Sequence, residues 1–302
     1  MASVIYGVLA VVPAAIRALQ EKGKGMSLET ARTEFIEAGG MRFAFRRLGP
    51  AKGMPLVLLQ HFTGNMDSWD PAVVNQLAET RPVIVFNNAG VGTSSGATPD
   101  NVEQMAADAE TFIRALDLGE VDLLGFSLGG MIAQVLAARG TGLVRKMIVA
   151  GAAPRGGEEH LMAVVNDAFA RGAADVRLPL FFTPSEASQR AGRGFIARAT
   201  ARAQDRDPES GDSVSEPQAK AIITWCARKD EASILRAIAQ PTLIVHGSDD
   251  SMFPSINAYN MFKAMSDAQL ILYPDSGHGA PFQYPDLFVA HCRTFLDARA
   301  TA

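Results

Sequence analysis

Val121-Asp122-Leu123-Leu124-Gly125-Phe126-Ser127-Leu128-Gly129-Gly130 is the stretch whose reading decides the fold. Val121 to Leu124 is a short apolar run, the length of a strand buried on both faces. Leu128 to Arg139 continues with a helical pattern. Gly-x-Ser-x-Gly sits at the junction. A tight strand-to-helix turn there strains the serine backbone and leaves no room for side chains at the flanking positions. It also lifts the Ser127 hydroxyl above the sheet and points the Leu128 N–H to the same side. The pentapeptide alone arises by chance, and an ordinary turn could use the same glycines. The strand before it and the helix after it supply the specificity.

Working outward, Pro55–Leu59, Pro82–Phe86, Lys146–Val149, Pro241–Val245 and Gln269–Leu272 are further short apolar runs. Helix-like stretches lie between most of them, at Pro71–Glu79, Val102–Leu116 and Pro254–Met265, and Asp286–Arg299 closes the chain. Alternating strand and helix predicts an α/β fold with a doubly wound, mostly parallel sheet. Thr33–Ala38 and Met41–Leu48, joined by Gly39-Gly40, read as a leading hairpin. From Pro154 to Ala239 the alternation stops. Leu180-Phe181-Phe182, Phe195-Ile196 and Ile222 to Trp225 argue that this stretch packs as helices and is no linker. The expected organisation is an N-terminal extension over 1–32, a core over 33–153 and 240–302, and an inserted helical cap over 154–239.

A serine hydroxyl is a weak nucleophile and needs a base, which in turn needs an orienting acid. His278, in Asp275-Ser276-Gly277-His278-Gly279, follows the last apolar run and is the expected base. Asp250, in Gly247-Ser248-Asp249-Asp250, follows the preceding run and is the expected acid, with Asp249 as its rival. The end of the strand at Val149 carries no acid. The order Ser, Asp, His along the chain fits a strand-elbow nucleophile. His246, at the end of its strand, reads as a hydrogen-bonded core residue, and His160 and His291 as structural or surface groups. No His and carboxylate spacing suggests a metal, and no cofactor is expected.

An oxyanion site needs a second N–H, from the loop after Leu59: Gln60-His61-Phe62-Thr63-Gly64-Asn65-Met66-Asp67-Ser68-Trp69. Here the chain, from about Thr33 to Arg299, resembles the α/β-hydrolase family, and within it the bacterial esterases and cofactor-free haloperoxidase-like perhydrolases. Many relatives have His-Gly-Phe-x-Gly followed by Ser-x-x-Trp in this loop. The resemblance implies Phe62 and Leu128 as oxyanion donors. It also exposes two departures. Gln60-His61 stands where relatives have His-Gly, so His61 becomes a candidate substrate contact or loop-stabilising group. Asn87-Asn88-Ala89-Gly90-Val91-Gly92-Thr93-Ser94 stands where relatives often have Asp-x-Arg-Gly-x-Gly-x-Ser. The resemblance and the three residues together imply acyl transfer on a small ester or lactone, with Phe126, Phe181, Phe182 and Trp225 as further candidate substrate contacts. Perhydrolase chemistry and a non-catalytic ligand receptor on the same fold are the alternatives.

Composition limits the partners. A net charge of −4 over 302 residues and no Lys/Arg-rich run argue against nucleic acid. Cys226 and Cys292 form no redox or metal spacing, so a reducing, cytoplasmic setting is expected. Val4 to Leu19 is apolar, but Pro13 and Arg17 cut it short of the roughly 20 residues a membrane helix needs, and it lacks signal-peptide flanks. It reads as an appended amphipathic or docking helix, with a start at Met26 or a membrane-touching segment as alternatives. Stable membrane insertion is not expected, a small-molecule substrate is the expected partner, and a homo-oligomer is left open.

Overall fold

A computed structural model describes residues 26–298, apart from 157–162, 165–166, 168–169, 171, 173 and 229–230. The expectations for Val4–Leu19 and for His160 therefore lie outside the described residues. Eight strands form one sheet: β1 Glu34–Ala38, β2 Met41–Leu48, β3 Leu56–Leu59, β4 Val83–Phe86, β5 Val121–Phe126, β6 Val144–Ala150, β7 Thr242–Gly247 and β8 Ala268–Tyr273. Their spatial order is β1-β2-β4-β3-β5-β6-β7-β8. The β1–β2 hairpin joins β4 antiparallel, and every later pairing is parallel. The apolar runs become strands because helices cover both faces, which leaves β3, β4, β5 and β7 fully buried. β8 departs from that reading: it is an edge strand, and only Tyr273 of it is fully buried.

Helices α1 Pro71–Ala78, α2 Val102–Ala115 and α3 Leu128–Ala138 follow β3, β4 and β5. Asp70 and Asn101 start the first two by accepting the Ala72 and Gln104 N–H groups, which satisfies amides that no helical carbonyl can reach. Two apolar clusters fill the faces of the sheet. In one, Phe86 stacks on Phe112 of α2 at 4.3 Å; in the other, Phe126 meets Phe282 edge to face at 4.9 Å. Between β6 and β7 lie α4 Arg177–Phe181, α5 Glu186–Ala199, α6 Asp212–Ala227 and α7 Glu231–Ala237. After β7 come α8 Ile256–Ala264, α9 Ala280–Gln283 and α10 Pro285–Asp297.

Register places the chemistry. Leu59 pairs with Gly125, and Phe126 with Ala150, so Ser127 emerges where β3 and β6 also end. Asp250 follows β7 and His278 follows β8, so the loops after β3, β5, β6, β7 and β8 all leave the carboxyl ends of the strands, where α/β folds bind ligands.

Candidate active site

Ser127 has φ 55° and ψ −120°, a left-handed conformation that costs a residue with a Cβ free energy. The strain is held from both sides. The Ser127 N–H donates to the Ala150 carbonyl at 2.9 Å, extending the β6 ladder, and the Ser127 carbonyl accepts the Gly130 N–H at 2.8 Å. A Cβ at Gly125 would collide with the Gly129 carbonyl, and one at Gly129 with the Leu59 carbonyl. The glycines of the pentapeptide therefore let α3 begin directly against β3 and β5. Leu128, as the first residue of α3, keeps its N–H free of any helical acceptor.

Asp250 and His278 meet as expected. His278 Nδ1 lies 2.8 Å from Asp250 Oδ2, with both side chains out of solvent. A carboxylate so placed fixes a hydrogen on Nδ1, the arrangement in which Nε2 can serve as a base. Asp250 Oδ1 accepts the Met252 and Phe253 N–H groups at 2.9 and 3.0 Å. Burial pushes the Asp250 pKa up, but the His278 charge and hydrogen bonds from His246 and His278 outweigh it, holding it below the usual carboxylate range. The rival Asp249 is exposed and accepts the neighbouring Ser248 hydroxyl at 2.5 Å.

His246 is buried and hydrogen-bonded, and it has a partner that the sequence reading missed. Its Nε2 lies 2.6 Å from the Phe253 carbonyl and 3.2 Å from Asp250 Oδ2. The carbonyl can only accept, so Nε2 carries the hydrogen. Burial lowers the His246 pKa, and Asp250 more than reverses that, raising it. The four-residue spacing from His246 to Asp250 across a strand end was the available signal. His291 bonds the Tyr273 hydroxyl at 2.8 Å, on the far helix α10.

The β3 loop keeps its shape by means the sequence did not announce. Gln60 donates through Nε2 to the Asn65 carbonyl at 2.8 Å and accepts the His61 N–H at 2.9 Å. Asn87 Oδ1 accepts the Met66 N–H at 2.8 Å. His61 Nδ1 donates to the Phe62 carbonyl at 2.8 Å, so its Nε2 is a lone-pair acceptor, buried and without a partner among the described residues. Burial drives the His61 pKa down to about 3, which keeps the ring neutral. Its ring lies edge-on to Phe126 and Phe181, at 5.5 and 5.6 Å.

The same two phenylalanines flank His278, at 5.1 and 5.5 Å. Phe181 belongs to α4, and its carbonyl accepts the Gly279 N–H at 2.8 Å. The structure thus brings His61, Phe126, Phe181, Asp250 and His278 together at the serine elbow. Phe182 packs against Phe181 and Phe195 and lines a neighbouring cavity of about 730 Å³ with Leu178, Leu180, Thr183 and Asp249. Trp225 stands apart: its Nε1 donates to the Ala153 carbonyl and Arg155 lies over its ring. Ser127 and His278 are 4% and 1% exposed, so the centre is covered.

Strained serine elbow, buried aspartate–histidine pair and strand order together define an α/β-hydrolase. The sequence profile of the alpha/beta hydrolase fold family matches residues 54–285, and the chain belongs to that family. Among solved structures, an alpha/beta hydrolase fold protein from Chitinophaga pinensis is 40% identical, with a TM-score of 0.84 over 91% of this chain and all of that one. Among curated proteins, the chain is 27% identical to the 2-hydroxy-6-oxo-6-(2'-aminophenyl)hexa-2,4-dienoic acid hydrolase of Metapseudomonas resinovorans, over 90% of this chain and 93% of that protein. It is 26% identical to a non-heme chloroperoxidase of Burkholderia pyrrocinia, over 84% and 95%. Among the described residues no helix is long and apolar enough to cross a membrane, and no three His, Cys, Asp or Glu side chains converge as a metal site.

Proposed function

We propose that this enzyme is a serine hydrolase that cleaves a carboxylic ester or lactone of a small, largely apolar substrate through an acyl-enzyme. The observation that carries the reading is the buried Asp250–His278 pair beside an elbow whose serine is held at φ 55°. In this reading Ser127 Oγ attacks the carbonyl carbon while His278 Nε2 takes its proton, and Asp250 steadies the imidazolium. The Phe62 and Leu128 N–H groups take the developing oxyanion. His278 then returns the proton to the leaving alkoxide. Water, deprotonated by His278, attacks the acyl-enzyme and frees Ser127 and the acid. Phe126 and Phe181, whose rings flank His278, favour an uncharged substrate, and His61 Nε2, without a partner among the described residues, supports its assignment as a substrate contact.

The test is turnover of short 4-nitrophenyl esters and labelling by a fluorophosphonate, with Ser127→Ala as control. Wild type turns over and labels, and Ser127→Ala does neither. Labelling that persists in Ser127→Ala sinks the mechanism. A folded wild type that neither labels nor turns over points instead to a ligand receptor. The chloroperoxidase relative favours one second reading, perhydrolysis, in which hydrogen peroxide replaces water at the acyl-enzyme and a peracid leaves. Peracid formation from acetate and peroxide, dependent on Ser127, is its signature.

A further inference from the structure

The peptide plane between Phe62 and Thr63 is gripped at both edges, and one grip comes from far along the chain. On one edge the Phe62 carbonyl accepts from His61 Nδ1 at 2.8 Å and from the Thr63 hydroxyl at 2.7 Å. On the other, the Thr63 N–H donates to Gln218 Oε1 of α6 at 2.6 Å. The Thr63 carbonyl in turn accepts the Ser210 hydroxyl at 2.8 Å. Thr63 has φ 59°, a left-handed conformation that a β-branched residue adopts only when its surroundings impose it.

Gln218 is fully buried, and its Nε2 has no hydrogen-bond partner among the described residues. Core packing would favour an apolar side chain there, because an orphaned buried donor is costly. The amide is accounted for by the one bond it does make. Neighbouring residues of the inserted segment reinforce the same loop. Asn65 Nδ2 donates to the Pro208 carbonyl at 3.1 Å, and the Asp207 N–H donates to Asp67 Oδ2 at 2.7 Å.

We infer that Gln218 is a positioning residue for the oxyanion site: by holding the Thr63 N–H, it fixes the backbone that carries the Phe62 N–H. The inserted segment is then part of the catalytic apparatus as well as a cover. This rests on the proposed role of Phe62 as an oxyanion donor.

The experiment compares full-length wild type, Gln218→Met and Gln218→Glu with 4-nitrophenyl acetate and a fluorophosphonate. Methionine keeps the length and loses the acceptor; glutamate keeps an oxygen in place. Loss of a whole oxyanion donor costs about 100- to 1000-fold in kcat, so a displaced one costs Gln218→Met about 10- to 100-fold. KM stays within about threefold, fluorophosphonate labelling slows by a similar factor, and Gln218→Glu recovers most of the rate, because only an interaction with the transition state is weakened. Unchanged kcat in Gln218→Met overturns the inference while leaving Ser127 chemistry standing. So does a loss that moves KM equally, or one that Gln218→Glu fails to rescue. Should Gln218→Met not fold, Ser210→Ala, from a less buried position, must lower kcat at constant KM, and an unchanged kcat overturns the inference. A wild type with no Ser127-dependent turnover removes the proposed function itself.

Discussion

His61 makes a quantitative demand on stability. In the fold its pKa is pushed down to about 3 from the ordinary 6.5, chiefly by burial, with the nearby Arg177 and His278 charges adding to the effect. The unfolded chain therefore binds a proton over the interval between these values that the native ring refuses. With a depressed folded pKa, the stability is fully present above pH ~6.5 and is lost progressively as pH falls. One pH unit below the unfolded value costs about 1.4 kcal/mol, so going from about pH 7 to about pH 5 costs about 2 kcal/mol at this one residue. His61→Phe keeps a ring against Phe126 and Phe181 and cannot titrate. Urea denaturation of both proteins at the two pH values isolates the effect, because His246, whose raised pKa acts with the opposite sign, is common to both. Wild type should lose about 2 kcal/mol more than His61→Phe on acidification, at equal denaturant slopes. Parallel losses would refute the neutral, buried assignment of His61 and with it the acceptor at Nε2.

Three other outcomes are open to measurement. Asp250→Asn should lower kcat by roughly 1000- to 10,000-fold, since the amide no longer fixes the His278 tautomer, while Asp249→Asn stays within about twofold; ester turnover of the purified variants checks both. Gly129→Ala should fail to accumulate as folded protein, because its Cβ meets the Leu59 backbone carbonyl and no side chain can yield there; soluble expression and circular dichroism check it. Arg46→Met should lower stability by about 3 kcal/mol, the lower end for a broken buried pair, because Asp67 loses a partner at 2.5 Å but keeps Arg202 at 3.7 Å; chemical denaturation reads it.

The sequence made the strands, most of the helices and the Ser-Asp-His order legible, because each rests on local pattern. An apolar run bounded by turns and a pentapeptide between strand and helix are short-range signals. Between Asp250 and Asp249 the local pattern left a rival, and it is the fold that sets Asp250 against His278 and leaves Asp249 at the surface. What stayed hidden depends on contacts across long stretches of chain. Gln218 lies 155 residues from Thr63 and Asp207 140 from Asp67, and neither has a motif around it. Trp225 shows the converse: an aromatic in the inserted segment reads as a pocket wall, yet the fold turns it under Ala153. The exposed face of β8 was hidden too, because an apolar edge strand and a central one look alike over six residues.

The departures from the family pattern gather around one loop, and they compensate one another. Gln60 stands where relatives have His, and its amide bridges the loop's own backbone. Asn87 stands where relatives have Asp, and its side chain takes the Met66 N–H. His61 fills the place of a glycine and closes onto the Phe62 carbonyl. Gln218 takes the adjoining Thr63 N–H from above. Every one of these groups is an amide or a neutral ring, while Arg46, Asp67, Arg202 and Asp207 form a separate buried charged cluster under the loop. Neutral dipoles cost less to bury than ions, and here they hold the backbone on either side of the Phe62 N–H. In the proposed mechanism the imidazolium of His278 forms opposite the Asp250 carboxylate, whose pKa its partners hold below the usual range.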